Sequence, residues 1–389
     1  MDDFATTHDL LRRTQRRALV VGAAGVVALA IGACFDATQV LRSWLVAWLF
    51  ALGLSLGGLA LVLLHAITGG AWGVAIRRFV EAAMHTTRWL ALGFVPLALG
   101  MHRLYGWSRS PVEPEFAPEQ PQWLNTPGFL VRALVCFLAW IGVAWVIGRR
   151  TRQQDVEATL ATERKLRVFA GPAVLIYGLT MTVASIDWVM SLEPHWRSTI
   201  YGVIFLVGQA LTAFAFVIVA AVVLRGHSPF KETFSRQNLQ DLGSLTLAFV
   251  LLWTYVGYSQ YLIIWSANLP EEATWYVRRL GGGWRALATV LVLLHFVVPF
   301  VVLLSRKAKE NARILGVVAG GMLVMRWVDL FWLVTPSFHE SLSVHWQDVA
   351  ALVAAAGLWT AAWIRELRRR PLTPPPVVLA PVAQATVHG

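Results

Sequence analysis

The sequence predicts an all-α polytopic membrane protein with ten transmembrane helices. Three observations carry this. The 389 residues are 57% hydrophobic with a mean hydropathy of +0.59, more apolar surface than a soluble domain of this size needs. Apolar runs recur at roughly the 20-residue length that crosses a bilayer. The runs are continuously apolar rather than alternating, so they read as helices and not as barrel strands.

The runs fall at about 18–36, 43–67, 86–106, 127–148, 168–190, 198–224, 241–265, 284–305, 313–334 and 345–366. Residues 1–17 form an N-terminal segment. Its Arg12, Arg13, Arg16 and Arg17 precede an apolar run as in a signal peptide, but the run is long enough to be a retained first span. Residues 18–42 are one flanking helix. Residues 43–190 hold spans two to five as the first bundle, and 191–334 hold spans six to nine as the second. Residues 335–366 hold the tenth, flanking helix. Residues 367–389, proline-rich from Pro371, are expected to be a disordered tail. Spans two and six carry Gly53, Gly57, Gly58 and Gly202, Gly208, Ala210, a spacing that permits close helix approach.

The net charge of +11 could suggest nucleic acid as a partner, but its placement argues against that. The cations sit in short clusters between runs, and 23 of them fall in the loops of one side against seven on the other. By the positive-inside rule both termini are cytoplasmic. Among the outer loops, 107–126 is proline-rich and acidic through Glu113, Glu115 and Glu119. The outer loop 266–283 holds Pro270, Glu271, Glu272 and a glycine run. Trp and Tyr residues such as Trp123, Trp196, Trp275 and Trp346 mark the helix ends as an interfacial belt.

Cys34 and Cys136 both lie in apolar runs, and the chain has no CxxCH motif and no cysteine cluster. Neither a c-type haem, a zinc site nor an iron–sulfur centre is therefore expected in this chain. The histidines lack the paired spacing of bis-His haem ligation.

Charges inside the runs need a partner or water. Asp187 lies near the outer end of span five, and Ser191, Glu193 and His195 continue outward from it. It reads either as a proton-handling carboxylate or as a snorkelling side chain. Arg326 and Asp329 lie three apart on one face of span nine. Arg326 is expected to pair with Asp329 or, across the bundle, with Asp187. Span seven supplies the stripe Thr254, Tyr258, Tyr261 and Trp265, with Ser259 and Gln260 beside it. Such a stripe is either helix packing or an ordered water path. The inner half carries His65, His85, Asp241 and Ser244, with His295 in span eight. Ionisable groups thus gather in an outer and an inner half with few between, the pattern of two proton half-channels and also of snorkelling.

Four stretches carry a resemblance: LLHAITGGAWGVAIRRFVEAA (Leu63–Ala83), the segment Tyr177–Gly202, the segment Phe234–Tyr276, and MRWVDLFWLVTPSF (Met325–Phe338). They resemble the F subunit of bacterial alternative complex III, related to the NrfD/PsrC-type membrane subunits. The resemblance implies ten helices in two four-helix bundles plus two flanking helices, in a non-catalytic subunit of a quinol-oxidising complex in the bacterial inner membrane. It implies that haem c and iron–sulfur clusters lie in partner subunits: a homologous C subunit, an iron–sulfur protein and a multihaem cytochrome c. Menaquinol or ubiquinol would be oxidised at the level of the complex, with quinone or lipid at the surface of this chain, which would hold a proton path. Two other functions fit the residues alone. One is a stand-alone secondary transporter with substrate at Arg326 and Asp329. The other is a quinone pocket in this chain involving Tyr258 or His65.

Overall fold

The computed structural model describes residues 2–109, 123–157, 159–193 and 196–372. Among these, every regular element is helical. Eight helices are long and apolar enough to cross a membrane, so the chain is an α-helical multi-pass membrane protein.

Helix α1 (Asp2–Thr68) is interrupted only at Asp36, whose backbone leaves the helical region. The Asp36 carboxylate accepts from the N–H groups of Thr38 and Gln39, at 3.0 and 2.9 Å, and so caps the half that follows. The first two apolar runs stop at 36 and resume at 43, yet helix fills the gap. It also extends back through the N-terminal segment. Gly69 and Gly70, with φ of +72° and +100°, then turn the chain into α2 (Ala71–His85). α2 buries Arg77, Arg78 and Glu81 beside Ile76, Phe79 and Val80. The run at 86–106 is not one helix. It divides at Gly100 into α3 (Thr87–Leu99), which contains Pro96, and α4 (Met101–Leu104).

α5 (Thr126–Val156) starts on the Asn125 cap and α6 (Leu160–Trp188) on a Thr159 capping box. α7 (Tyr201–Leu224) is followed by the short α8 (Phe230–Thr233) and by α9 (Arg236–Ala267). The stretch 266–283, read as an outer loop, contains a helix, α10 (Pro270–Leu280). Its sequence suits one: Pro270, Glu271 and Glu272 open it, and Arg278 and Arg279 close it. α11 (Trp284–Leu291) passes through a π-turn at Val292–Val297 into α12 (Val298–Leu304). Pro299 lacks an N–H for the turn behind it, and the wider turn accommodates that break. α13 (Arg306–Glu310), α14 (Ala312–Val334) and α15 (Trp346–Leu367) complete the chain.

The most enclosed helix is α7, packed among α1, α6, α9 and α14. Small residues let the backbones meet, as their spacing suggested. Gly57 of α1 lies against the Gln209 carbonyl of α7, and Gly208 leaves room for the Arg326 guanidinium of α14. Gly22 and Gly25 in turn seat the first half of α1 on Gly357 and Ala354 of α15. The span assigned to the tail lies outside the described residues from 373 onward, as do Glu113, Glu115 and Glu119.

A methyl at Gly57 would overlap the Gln209 carbonyl. Gly57→Val should therefore lower the detergent unfolding midpoint by the equivalent of about 1–3 kcal/mol. The exposed Gly142→Val, with open space around it, is the control that should leave the midpoint within error.

Candidate functional site

Buried charge occurs at three levels. The first lies where α6 ends. Asp187 is 1% exposed, and both its oxygens are occupied. Arg132 of α5 donates through Nε to Oδ2 at 2.6 Å and through Nη2 to Oδ1 at 3.1 Å, a bidentate pair. The Trp123 indole donates to Oδ1 at 2.9 Å, and the Arg132 guanidinium lies 4.4 Å from the Trp123 ring centre. Ser191 donates to the Asp187 backbone carbonyl at 2.5 Å. Glu193 lies just beyond and accepts from Arg278 at 2.6 Å, Ser337 at 2.8 Å and Arg279 at 3.4 Å. Arg279 is 1% exposed, donates to the Leu333 carbonyl at 2.7 Å and stacks 3.7 Å from the Trp275 ring centre. A cavity of about 390 Å³ touches both groups through Trp123, Ser191 and Glu193. His195 lies outside the described residues.

The second level is the middle of the bundle. Arg326 pairs with Asp329 on its own helix and donates through Nε to the Thr212 hydroxyl of α7 at 3.2 Å. Of the two partners expected for Arg326, Asp329 is the one found; Asp187 belongs to Arg132. Trp253 of α9 also reaches the Asp329 carboxylate. His295 sits in the π-turn, fully buried, with its ring 4.4 Å from that of Trp253 and the Arg326 charge near enough to act on it. Neither ring nitrogen of His295 has a hydrogen-bond partner. One turn from Thr212, Gln209 accepts from the Tyr177 hydroxyl of α6 at 2.6 Å. Arg326 lies eight residues inside Val334, about 12 Å at ~1.5 Å per residue. Arg326, Asp329 and His295 thus lie together, apart from the Asp187 and Glu81 groups.

The third level lies where α2 meets α5 and the end of α15. Glu81 accepts from Arg77 at 2.9 Å, Arg78 at 3.1 Å and Arg370 at 2.7 Å. Arg78 also pairs with Asp155 at 2.9 Å, and Arg370 reaches the Gly148 carbonyl at 3.0 Å. Burial pushes the Glu81 carboxyl up, but Arg77, Arg370 and Arg78 outweigh it and hold its pKa at about 2. His85 lies against Arg370, and burial together with that cation lowers its pKa to about 4. A cavity of about 250 Å³ adjoins, lined by His65, Trp72, Arg77, Glu81 and Thr151. His65 bonds to the Gly70 carbonyl at 3.0 Å, and the bare backbone of Gly73 makes room for its ring.

Several sequence candidates stand apart. Tyr258 is 58% exposed and faces outward, its ring tilted against that of Tyr261, so the aromatic stripe of α9 is an outer face. Ser259 is half-buried beside it. Asp241 accepts from Gln237 at 2.9 Å and contributes no ion pair to the Glu81 group. Sequence reading missed Arg132, Glu81, Thr212 and Trp253. Arg132 was legible as a lone cation within the run 127–148, which needs a carboxylate in reach. Among the described residues, no three His, Cys, Asp or Glu side chains gather into a metal site. No family model matches the chain, and no curated protein does.

Removing Arg132 strands a buried carboxylate. Arg132→Gln should cost roughly 3–5 kcal/mol of stability, and the double variant Arg132→Gln/Asp187→Asn should cost less than Arg132→Gln alone. Detergent unfolding midpoints of the unaltered chain, Arg132→Gln and the double variant decide this; equal losses in the single and double variants would contradict it. Acid provides a second test. The folded chain binds the His85 proton more weakly than the unfolded chain, whose histidine titrates near 6.5. Stability should therefore fall as pH drops from 6.5 to about 4. His85→Gln should flatten that part of the curve. The Glu81 contribution should persist there and fade only as pH falls from 4.5 towards about 2.

Proposed function

We propose that this chain is a non-catalytic, cofactor-free membrane subunit of a quinol-oxidising complex of the alternative complex III type. In this reading it sits in the bacterial inner membrane and carries protons coupled to electron transfer in its partners. The observation that supports the proton role is the mid-bundle group. An arginine–aspartate pair, fixed by Thr212, stands beside a buried histidine with two unpartnered ring nitrogens. A buried polar site of this kind suits ordered water. The Asp187 and Glu193 groups then serve one end of the route, and the His65–Glu81 cavity serves the other.

The finer topology belongs to the same proposal. Counting the halves of α1 separately, and α3 with α4 as one crossing, gives ten spans in two four-helix bundles with two flanking helices. The loop cations then put both termini in the cytoplasm. The four stretches that resemble the F subunit support the assignment to that complex. The partners would be a homologous C subunit, an iron–sulfur protein and a multihaem cytochrome c, which carry the redox centres. Menaquinol or ubiquinol is the electron donor.

One observation favours a second reading. The π-turn and Pro299 break α11–α12 at the depth of Arg326, as helices break around substrate in secondary transporters. Purification in mild detergent separates the two. Multihaem cytochrome and iron–sulfur protein should accompany the chain in the first reading, and neither in the second.

Asp187→Asn and Asp329→Asn should lower the protons moved per electron in vesicles reconstituted from the fraction of each variant that assembles. Unchanged proton movement in both variants would remove the proton route and leave an anchoring role.

A further inference from the structure

A cleft of about 500 Å³ opens sideways between the two halves of α1, α3 and α15. Its volume lies within the roughly 300–1,000 Å³ of small-ligand sites. Trp44, Trp48, Trp89 and Trp359 wall it. Three of these indoles turn their N–H groups into the protein, to Gly93, Leu90 and Ser55, at 2.8, 2.9 and 2.8 Å. What they leave to the cleft is ring surface. Leu19 and Leu92 at its edge are 53% and 63% exposed, so the opening faces the surroundings of the bundle rather than its core.

One end of the cleft is cationic. Arg365 lines it, its guanidinium 5.5 Å from the Trp89 ring centre. A second depression shares Gln15 and Leu19 with the first and is lined by Arg12, Arg16 and Arg368. Gln15 accepts from Arg368 at 2.7 Å and fixes it, while the buried Arg368 Nε has no partner. Among the described residues no carboxylate pairs with Arg12, Arg16, Arg365 or Arg368. Arg365 and Arg368 close α15, and Arg12 and Arg16, which precede the first apolar run of α1, border the same depression as Arg368; cations flanking apolar runs sit at the level of lipid headgroups.

We propose that this cleft is a binding site for one anionic glycerophospholipid. Its phosphodiester sits among Arg12, Arg16, Arg365 and Arg368, and an acyl chain lies along the tryptophan wall. Charge selects the ligand. A zwitterionic lipid brings a cation to an already cationic rim, and an uncharged isoprenoid leaves four arginines unpaired. Basic pockets between membrane helices recognise acidic headgroups on the same grounds. The lipid would also tie the first half of α1 to α15 and α3, three elements that border the cleft.

Native mass spectrometry of the delipidated full-length chain in detergent tests this. Titration with phosphatidylglycerol should give one bound lipid at about tenfold lower concentration than phosphatidylcholine. Arg365→Gln/Arg368→Gln should abolish the preference. Arg306→Gln/Lys307→Gln, at another basic loop, should keep it. Ala362→Trp, which fills the cleft, should lower the occupancy of both lipids, and it keeps the test decisive if the arginine variant unfolds. Equal affinity for the two lipids would overturn the proposal. So would an equal loss in the Arg306/Lys307 control, or displacement of the lipid by inorganic phosphate, which would mark a simple anion site.

Discussion

The structure depends on one constraint: an ionised side chain cannot sit alone in a medium of low dielectric. Each buried charge therefore fixes the position of another helix. Asp187 draws α5 to the end of α6 through Arg132, and Glu193 draws α10 over the end of α14 through Arg278 and Arg279. Glu81 gathers α2, α5 and the segment after α15 around three arginines. These pairs need not add net stability, since desolvation opposes them. What they specify is which faces meet.

Apolar packing supplies the complementary half of the fold. α7 runs through the middle with little surface of its own exposed, and glycines on α1 and α7 bring backbones close enough to exclude lipid. The same feature makes the central charge tolerable. Gly208 opens the space that the Arg326 guanidinium fills, and the Thr212 hydroxyl oxygen, one turn on, accepts a hydrogen bond from that guanidinium. A larger residue at 208 would push the cation out of its seat. The small-residue stripe of α7 thus serves both packing and the polar centre.

Fold class was legible because hydropathy reports directly on length and solvent. Eight long apolar helices cover nine of the ten apolar runs, the run at 86–106 dividing at Gly100, and the glycines of spans two and six do meet neighbouring helices. The breaks were less legible. The Asp36 cap sits in a polar interval that reads equally well as a loop, and α10 is too polar to show in hydropathy though its end residues suit a helix. Pairing was the least legible. Arg326 and Asp329 announce each other by a three-residue spacing, but Arg132 and Asp187 are 55 apart, and only the fold brings them together. Glu81 sits among arginines that charge counting assigns to a loop. The outward turn of Tyr258 depends on which face of α9 meets α7, and the stripe alone does not state that.

The central claim is that the polar middle of the bundle is hydrated and connected, not a sealed ion pair. An electron cryo-microscopy map of the chain in a lipid nanodisc, at a resolution that shows water, addresses it most directly. The account predicts ordered water bonded to a ring nitrogen of His295 and continuing to the Arg326–Asp329 pair. An imidazole enclosed on all sides by apolar atoms, with no water between it and the pair, would contradict it.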